Sequence, residues 1–352
     1  MGKSLFRKMA MACLLAALLL IAACSPSSGA KKELPEVRSG TQGLEFEFLK
    51  NAPPKQVFEQ SSFPIILRLK NLGAYAIPDQ QGILSLAVER DYMGFVAVET
   101  GGRISSEAPN EALFSMEGKS LLNTKGDEEV VSFTVTPSKI DPQSETHPSI
   151  AIATLCYPYE TELLATVCID PDPNSIRPGK KSCTAQDIPF GNGQGAPVAI
   201  TKVEVQMLPS EKGLRPQFLI HIENKGKGEV TKLESYRTIC RGNSLSATQK
   251  DFNLIKMSAW ISDVQGKDHN DKNIDFKLKC TLHSELNDIG QTKEDYVRLR
   301  AKQDVVRCAY EGTSEQITNP GDSFTTPLRI LLSYGYTQSI TADYVIKKIS
   351  MN

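Results

Sequence analysis

The sequence predicts an all-β protein built from antiparallel strands. Apolar and polar residues alternate with a period of two in segments such as 44–48, 83–88 and 130–135, which places successive side chains on opposite faces of a strand. Glycine, asparagine, aspartate and proline separate these segments, as turn residues do. After residue 23, no long segment shows the 3.6-residue period of an amphipathic helix.

The length and charge of the chain set broad limits on its function. Its 352 residues are enough for two domains, each with its own hydrophobic core. Hydrophobic residues make up 40% and charged residues 23%, which is typical of a globular protein and argues against wholesale disorder. The 40 Lys+Arg nearly balance the 41 Asp+Glu. Nucleic-acid binding is therefore not expected, because neutralising many phosphates requires a clustered excess of cations.

Residues 1–23 have the pattern of an export signal. Cations at positions 3, 7 and 8 precede an apolar run from Met9 to Ala22, which is too short to span a bilayer comfortably. The run ends in Ile21-Ala22-Ala23-Cys24, which resembles the lipobox of prokaryotic lipoproteins. This resemblance implies cleavage before Cys24 and its modification by a diacylglyceryl group and further acyl chains such as palmitate. The alternative is an ordinary cleaved signal that happens to contain a cysteine.

Residues 24–41 are predicted to be the lipidated Cys24 and a flexible tether. The stretch is rich in Ser, Pro, Gly and Lys and has no apolar period. Together with the export signal, it predicts an extracytoplasmic protein that is anchored to the cell membrane through Cys24.

Six cysteines remain once Cys13 leaves with the signal and Cys24 is lipidated. They are Cys156, Cys168, Cys183, Cys240, Cys280 and Cys308. An even number in an exported chain predicts three disulfides, for which 15 pairings are possible. Zinc is a weaker alternative, because the sequence has no C-x-x-C and its four histidines do not lie at ligand spacing from a cysteine.

One set of disulfide pairs follows from the strand pattern. If the chain turns at residues 161–163, Cys156 faces Cys168 across a hairpin whose other face is consistently apolar. Cys280 and Cys308 flank a predicted strand pair. Cys183 and Cys240 are then paired by elimination only, and their bond would tie the segment around Cys183 to the second half of the chain.

The two halves of the chain resemble each other in two places. Segments 65–73 and 218–226 each read as a strand that runs into an Asn-x-Gly turn, where glycine tolerates a positive φ. Segments 155–159 and 332–336 each contain Tyr-x-Tyr, and each is predicted to enter a hairpin. Two matches in the same order predict a tandem repeat. Chance similarity between generic β segments is the alternative.

The repeat places two β-sandwich domains at 42–170 and 197–350. A connector rich in Pro and Gly lies between them, at 171–196. Within the first domain, the segment 103–125 departs from the strand pattern. It is predicted to hold a short helix near 110–116 or to be a long loop.

The order strand, Asn-x-Gly, Gly-Asp, strand resembles the CARDB and related immunoglobulin-like sandwiches of prokaryotic surface proteins. The segments that carry the resemblance are 193–198, 223–226 and 333–336. A lipobox followed by two such modules also resembles uncharacterised archaeal and bacterial surface lipoproteins. The resemblance implies two tandem immunoglobulin-like, antiparallel β-sandwich domains. It transfers no catalytic residue.

The common sequence motifs for catalysis and for nucleotide binding are absent or incomplete in this sequence. No G-x-S-x-G occurs, and Gly118-Lys119-Ser120 lacks the upstream glycine of a phosphate loop. His221 lies between two isoleucines of an alternating strand, which predicts a ring at the solvent or the rim rather than a metal ligand. No cofactor is predicted.

Two acidic clusters were compared with calcium loops. Asp170, Asp172 and Asn174 have suitable spacing, but Lys181 stands where an EF-hand requires glutamate. A second cluster packs five oxygen donors into eight residues, namely Asp268, Asn270, Asp271, Asn273 and Asp275. It is a weak candidate for a calcium loop, and a solvated loop before a strand is the preferred interpretation.

Trp260 is a candidate contact residue. It alternates with Met257, Ala259 and Ile261, so it is expected on the opposite strand face. There it is either exposed for contact with a partner or, as the preferred interpretation, partly covered or at a domain interface. The sequence as a whole predicts a non-catalytic, lipid-anchored module for surface binding, adhesion or envelope assembly, with a protein or an envelope polysaccharide as partner. A solute- or glycan-binding lipoprotein is the alternative, and a concave pocket with converging polar groups would favour it.

Overall fold

A computed structural model describes residues 37–176, 179–211, 213–242, 249–267, 273–281 and 296–349. We call residues 42–170 the first half and residues 197–350 the second half. The first half contains the strands β1 (Leu44–Phe48), β2 (Gln56–Phe58), β3 (Phe63–Asn71), β4 (Ile77–Val88), β5 (Met93–Val98), β6 (Ile104–Ala108), β7 (Glu111–Met116), β8 (Glu128–Pro137) and β9 (Thr146–Ile169).

The connector contributes one short strand, and the second half contributes the remaining elements. These are β10 (Ile188–Pro189), β11 (Val198–Ser210), β12 (Gly213–Asn224), β13 (Glu229–Thr231), α1 (Tyr236–Cys240), the 3₁₀ turn Gln249–Asp251, β14 (Leu254–Lys267), β15 (Asn273–Lys277), β16 (Lys279–Cys280), β17 (Tyr296–Arg298), β18 (Gln303–Ala309), α2 (Glu315–Thr318) and β19 (Phe324–Lys347). The described chain is thus almost entirely β-structure, as the alternating pattern predicts.

The strands form three sheets. Sheet A has the order β1-β3-β8-β5 and sheet C the order β10-β11-β12-β18-β16. The central sheet has the order β15-β14-β19-β9-β4-β7-β6. Neighbouring strands along these orders are antiparallel, whereas β2 pairs in parallel with the end of β19.

Two strands of 24 residues each form the middle of the central sheet. β9 and β19 pair antiparallel over their whole length, from Thr146 opposite Lys347 to Ile169 opposite Phe324. The hairpins predicted after the two Tyr-x-Tyr segments are therefore wrong. Residues 160–169 contain no glycine, proline, asparagine or aspartate, so the chain has no turn residue there and continues straight.

Sheets A and C pack on the same face of the central sheet. The Leu44 backbone N–H of sheet A donates to the Tyr157 hydroxyl of β9, and the Val198 N–H of sheet C donates to the Tyr334 hydroxyl of β19. Most buried apolar residues of the three sheets form one continuous cluster, and a smaller cluster lies around the Cys156–Cys240 disulfide. Their formation removes apolar surface from water, which is the main driving force for this arrangement.

The pairing has approximate twofold symmetry. In the central sheet, β9 lies between β4 and β19, just as β19 lies between β14 and β9. In the other two sheets, β3 lies between β1 and β8, just as β12 lies between β11 and β18. Tyr157 lies opposite Tyr336, and Tyr159 lies opposite Tyr334, so the two Tyr-x-Tyr segments meet each other antiparallel. The pattern is that of a tandem repeat. The domain boundaries at 170 and 197 stay a prediction, since both halves supply strands to one sheet.

The disulfide pairs correct two of the three predicted ones. Cys280–Cys308 is confirmed. The predicted Cys156–Cys168 and Cys183–Cys240 pairs are wrong, because Cys156 bonds Cys240 and Cys168 bonds Cys183. On one straight strand, 12 residues separate Cys156 from Cys168 by about 40 Å, too far for a bond. The connector is consequently tied to β9 of the first half, and Cys156–Cys240 joins the two halves.

The segment 103–125 holds a strand hairpin where a helix or a loop was predicted. β6 and β7 pair antiparallel, and β7 continues the central sheet beside β4. Five of the six residues of β7 are buried. Because both faces of the strand are covered, its apolar residues do not alternate and give no period-two signal.

Candidate binding surface

The face of the central sheet opposite sheets A and C carries an assembled group of side chains where β14, β19 and β9 lie side by side. In register across three strands, Trp260 of β14 lies beside Arg329 of β19, and Arg329 lies beside Leu164 of β9. Glu162 and Arg38 complete the group. We call these five residues the Trp260 face.

Trp260 lies on the predicted side of its strand. Met257, Ala259 and Ile261 are buried in the core, whereas Trp260 points away from it and is partly exposed. The guanidinium carbon of Arg329 lies 5.5 Å from the centre of the Trp260 ring. This is the distance of a cation–π contact, which holds the two side chains together at the surface.

Glu162 fixes the orientation of two arginines. Arg329 Nε donates to Glu162 Oε1 at 2.7 Å, and Arg38 Nη1 donates to Glu162 Oε2. Partial burial raises the pKa of Glu162, but the hydrogen bonds from Arg38 and Arg329 outweigh burial and hold this pKa below its usual value. The carboxylate is therefore charged at neutral pH and keeps both guanidinium groups in place.

Leu164 adds exposed apolar surface to this group. Its side chain is 64% exposed, in the same row as Trp260 and Arg329. Tryptophan and arginine are enriched among the energetically important residues of protein interfaces, and Leu164 extends the apolar surface beside them. Because the arginine is already held, binding to it costs less side-chain entropy.

A small pocket adjoins the Trp260 face. Its volume is about 380 Å³, and Tyr75, Glu160 and Arg237 are among the residues that line it. Burial raises the pKa of Glu160, whereas a hydrogen bond donated by Ser333 Oγ at 3.3 Å opposes that effect. The lining residues include no histidine. The pocket thus offers the carboxyl group of Glu160 and the guanidinium group of Arg237 for hydrogen bonding.

The corresponding face of the first half has a different composition. Ala87 of β4, Ile152 of β9 and Thr341 of β19 occupy the positions that Trp260, Arg329 and Leu164 occupy in the second half. A cleft of about 480 Å³ lies beside them, lined in part by Ile150 and Ile152. Glu89, Ser149 and Asp343 also line the cleft, and its lining residues include no aromatic ring and no arginine or lysine.

Two histidines lie within hydrogen-bond distance of a glutamate carboxylate. His221 Nε2 lies 2.9 Å from Glu204 Oε1 at the outer, partly exposed face of sheet C, as the strand pattern predicts. His147 Nε2 lies 2.9 Å from Glu89 Oε2, and its ring stacks on Tyr92 at 3.8 Å. The hydrogen bond with His147 lowers the pKa of Glu89.

The structure describes the first acidic cluster and only part of the second. Asp170 is buried and accepts a hydrogen bond from Lys181 Nζ at 2.9 Å. Of the weak candidate loop, Asp268, Asn270 and Asp271 lie outside the described residues, and Asp275 accepts a hydrogen bond from Ser262. In the part of the chain that the structure describes, no group of three His, Cys, Asp or Glu side chains is placed to hold a metal ion.

Comparisons with known proteins yield no family. No family model and no curated protein matches the chain. A type I cohesin–dockerin complex from Clostridium thermocellum aligns with 35% of this chain and 86% of that chain, at 18% identity and a TM-score of 0.22. The collagen adhesin of S. aureus aligns with 90% of this chain and 95% of that chain, at 8% identity and a TM-score of 0.11. At such TM-scores neither likeness supports an argument.

The sequence pointed to only one residue of the Trp260 face. Trp260 is predicted from the alternation in β14, but Glu162, Arg329 and Arg38 are brought to it by pairing between distant strands. Arg329 and Glu162 are 167 positions apart in the chain. The sequence signal for this group is the long, unbroken alternation of β9 and β19. Two straight strands paired in register would have placed Arg329 near Glu162.

Two observations concern location. Three disulfides among the described residues indicate an oxidising, extracytoplasmic compartment. Within the described ranges, the helices are all too short or too polar to cross a membrane. Cys24 lies outside the described residues, and its lipidation stays a prediction.

Proposed function

We propose that this protein is a non-catalytic binding module on the outer side of the cell membrane and that its Trp260 face binds a protein partner. The observation that supports this most strongly is the assembled and exposed group of Trp260, Arg329, Glu162 and Arg38. Packing of the sandwich does not require it, because the corresponding positions of the first half are filled by Ala87 and Ile152.

The shape of the face favours a macromolecule over a small solute. The group extends over three neighbouring strands of one sheet, so it presents a broad surface. Small molecules usually bind in enclosed pockets that bury most of their surface and point several polar groups at it. A protein can cover the broad face and desolvate the Trp260 ring together with the Arg329 guanidinium.

The anchor is the second part of this proposal. The Ile21-Ala22-Ala23-Cys24 segment supports lipidation of Cys24, which would hold the binding module at the membrane surface. Cys24→Ser should release the protein from the membrane fraction or leave it unprocessed. A variant that fractionates and migrates like the wild type would contradict the anchoring.

A spectroscopic experiment tests the binding face. Trp260 is the only tryptophan in the chain, so biosynthetic replacement by 5-hydroxytryptophan labels this face alone. We expect the emission to change when solubilised envelope protein is added, and to stay constant when that protein has first been digested by a protease. A response to envelope polysaccharide alone would establish the glycan-binding alternative. No response to either would show that the Trp260 face is not the binding site.

A matched pair of variants serves as the control. Trp260→Ala should reduce retention of the protein on immobilised envelope protein at least about tenfold, since loss of a central aromatic contact costs about 2 kcal/mol. Ala87→Ser alters the corresponding position of the first half and should leave retention unchanged. Equal losses in the two variants would argue against a specific role of the Trp260 face.

A further inference from the structure

The small pocket beside the Trp260 face is built by both halves of the chain. Its volume is about 380 Å³, and the residues that line it include Tyr75 and Glu160 of the first half and Tyr236 and Arg237 of the second. The Tyr236 hydroxyl donates to the Gln81 carbonyl at 2.9 Å. The Tyr236 side of the pocket is therefore held in place without a ligand.

Two polar groups in this pocket have unused hydrogen-bonding capacity. Glu160 Oε1 accepts a hydrogen bond from Ser333 Oγ at 3.3 Å, whereas Glu160 Oε2 has no partner among the described residues. The Tyr75 hydroxyl also has no partner in the described ranges. Burial and, after it, the charge of Glu160 raise the pKa of Tyr75, so the carboxylate and the hydroxyl lie close enough to interact. One ligand group can therefore meet both.

Glu160 differs in this respect from Glu162, its neighbour on the same face of β9. Glu162 is paired with Arg38 and with Arg329. In the part of the chain that the structure describes, no cation lies within ion-pair distance of Glu160. Burial raises the pKa of Glu160, since its carboxylate gives up hydration that no paired cation replaces. A positive charge supplied by a ligand would compensate this loss.

The charged residues that line the pocket leave that position open. Arg237 Nε donates to the Tyr236 hydroxyl at 3.1 Å, and Arg237 Nη2 donates to the Gln80 carbonyl at 2.9 Å. The guanidinium is thus directed to groups other than Glu160. Glu234 also lines the pocket, so its lining carries two carboxylates and one guanidinium. This balance favours a cationic ligand.

The fold does not require a carboxylate at the position of Glu160. When the two Tyr-x-Tyr segments are aligned, the counterpart of Glu160 is Thr337 of β19. The Thr337 hydroxyl lies 3.3 Å from Cys156 Sγ, so a neutral side chain packs well in the equivalent place. Packing therefore does not explain the charge of Glu160, which points to a role in binding.

We propose that this pocket binds a lysine side chain of the protein that covers the Trp260 face. The inference rests on the proposed function and names the chemistry of its partner. Glu160 and Glu162 are two residues apart on the same face of β9, a distance of about 7 Å along the strand. One partner can thus cover the Trp260 face and extend a side chain into the pocket.

The pocket suits lysine better than arginine. A guanidinium fork binds a carboxylate best through both oxygens, and one oxygen of Glu160 already accepts a hydrogen bond from Ser333. An ammonium is compact and has three donors, which can bond to Glu160 Oε2 and to the Tyr75 hydroxyl oxygen. The four-carbon stem of lysine can pack on the tyrosine rings that line the pocket.

Ligand-observed NMR on the full chain tests the pocket with a probe that needs no partner. The probe is N-acetyl-lysine methylamide, and its norleucine analogue is the control, because it has a similar stem and no ammonium. We expect the lysine probe to bind at least about tenfold more tightly than the control. Equal binding of the two compounds, or no binding of either, would overturn the proposal.

Three variants locate the probe in the pocket. Glu160→Gln keeps the shape, removes the charge and should weaken binding of the lysine probe at least about tenfold. Tyr75→Phe removes one hydroxyl and should weaken it about threefold. Glu117→Gln, the control, removes an exposed carboxylate of the first half and should leave binding unchanged. Equal binding to Glu160→Gln and to the wild type would contradict the site.

Thermal unfolding at neutral pH checks that Glu160 acts in binding and not in packing. Glu160→Gln should be at least as stable as the wild type, because the folded state disfavours the charge that the variant removes. A lower melting temperature would assign Glu160 to the packing of the sheet and overturn the proposal. In that case Tyr75→Phe still reports on the pocket.

Chemical modification of the partner separates this inference from the proposed function. Acetylation of solubilised envelope protein removes its lysine charges, whereas reductive methylation keeps them. Acetylation should reduce retention on the immobilised full chain at least about tenfold, and methylation should change it little. Retention that survives acetylation would overturn the lysine inference and leave the proposed function in place. Absence of retention before modification would contradict the proposed function, and the lysine probe would still decide the pocket.

Discussion

The two halves of this protein have the same interior and different exteriors. In the first half, the Gly73 N–H and the Tyr159 hydroxyl both donate to Asn71 Oδ1, at 3.1 and 3.4 Å. In the second half, the Gly226 N–H and the Tyr336 hydroxyl both donate to Asn224 Oδ1, at 3.1 and 3.2 Å. The Asn-x-Gly turn and the Tyr-x-Tyr segment thus form one hydrogen-bonded unit, and each half contains one copy of it.

The glycines of these motifs have a reason that differs from the predicted one. Neither Gly73 nor Gly226 has a positive φ. A Cβ at Gly73 would lie 1.8 Å from the Tyr159 hydroxyl oxygen, and one at Gly226 would lie 2.1 Å from that of Tyr336. Glycine is needed because a tyrosine approaches the backbone closely. Each Asn-x-Gly turn therefore depends on the Tyr-x-Tyr segment of its own half.

The outer surfaces of the two halves can differ because their side chains do not pack at the symmetry axis. The tyrosines at the axis pack against tyrosines of the other half, so a change on one side affects both halves. The outer face of the central sheet meets solvent, and there Trp260 and Arg329 correspond to Ala87 and Ile152. A surface of one half can therefore acquire a binding function while the shared core keeps its structure.

The largest expected effects on stability come from two disulfides. Cys156–Cys240 joins the two halves, and Cys168–Cys183 joins the first half to the connector. Cys156–Cys240 encloses 84 positions and Cys168–Cys183 encloses 15. Chain entropy predicts that replacing the first pair by serines lowers the free energy of unfolding by about 4–5 kcal/mol, and the second by about 3 kcal/mol. Urea unfolding of the two double variants measures both values.

Proteolysis distinguishes the roles of these two bonds. Loss of Cys168–Cys183 should increase cleavage between residues 170 and 195, because that bond holds the connector on β9. Loss of Cys156–Cys240 should leave cleavage there unchanged. The opposite order of stabilities, or equal cleavage in both variants, would contradict the assigned roles.

Alkaline pH should destabilise the shared core. Burial raises the pKa of Tyr336 to about 12, and it raises the pKa values of Tyr157, Tyr159 and Tyr334 as well. The folded state disfavours the tyrosinate, so this stability is complete below pH 10, where the unfolded chain titrates, and is lost as pH rises. Tyr336 alone should account for about 1.4 kcal/mol of loss by pH 11.

The same titration compares the two halves. Tyr336→Phe should reduce the alkaline loss, and Tyr159→Phe, its counterpart, should reduce it at least as much. The measurement is the free energy of unfolding in urea at pH 8 and pH 11 for the three proteins. Equal pH dependence of the variants and the wild type would show that these hydroxyls are not buried as described.

At neutral pH, the two tyrosine variants should have smaller and nearly equal effects. Each asparagine oxygen keeps its bond from the glycine N–H, but each variant also leaves one backbone group without its hydroxyl partner, the Gly195 carbonyl for Tyr159→Phe and the Gly228 N–H for Tyr336→Phe. The cost in each case is about 1–2 kcal/mol. Thermal unfolding at neutral pH checks this. Costs that differ by more than about 1 kcal/mol would contradict the equivalence of the two units.

The sequence predicted the strands and the repeat because local patterns carry them. The alternation in β3 and β12 and the two Asn-x-Gly turns need only neighbouring residues to be recognised. The straight course of β9 and β19 was missed because alternation is the same for one long strand and for a hairpin in register. Only the absence of turn residues between 160 and 169 separates the two interpretations.

The disulfides and the binding face depend on that long-range pairing. Once β9 is straight, Cys156 and Cys168 point to the same face far apart, and each must find a partner elsewhere. Arg329 likewise reaches Glu162 only because β19 pairs with β9 in this register. The alternation in β14, in contrast, was enough to place Trp260, since each strand residue faces opposite to its neighbours.

Photo-crosslinking from the two corresponding positions tests the central claim most directly. A benzophenone side chain at position 164, which leaves Trp260 in place, or at the corresponding position 341 is introduced into the full chain and irradiated in intact cells. We predict that position 164 yields a discrete crosslinked protein, that Arg329→Ala weakens this product at least about fivefold, and that position 341 yields none. Equal products from both positions, or a product at 341 only, would contradict a binding surface confined to the Trp260 face.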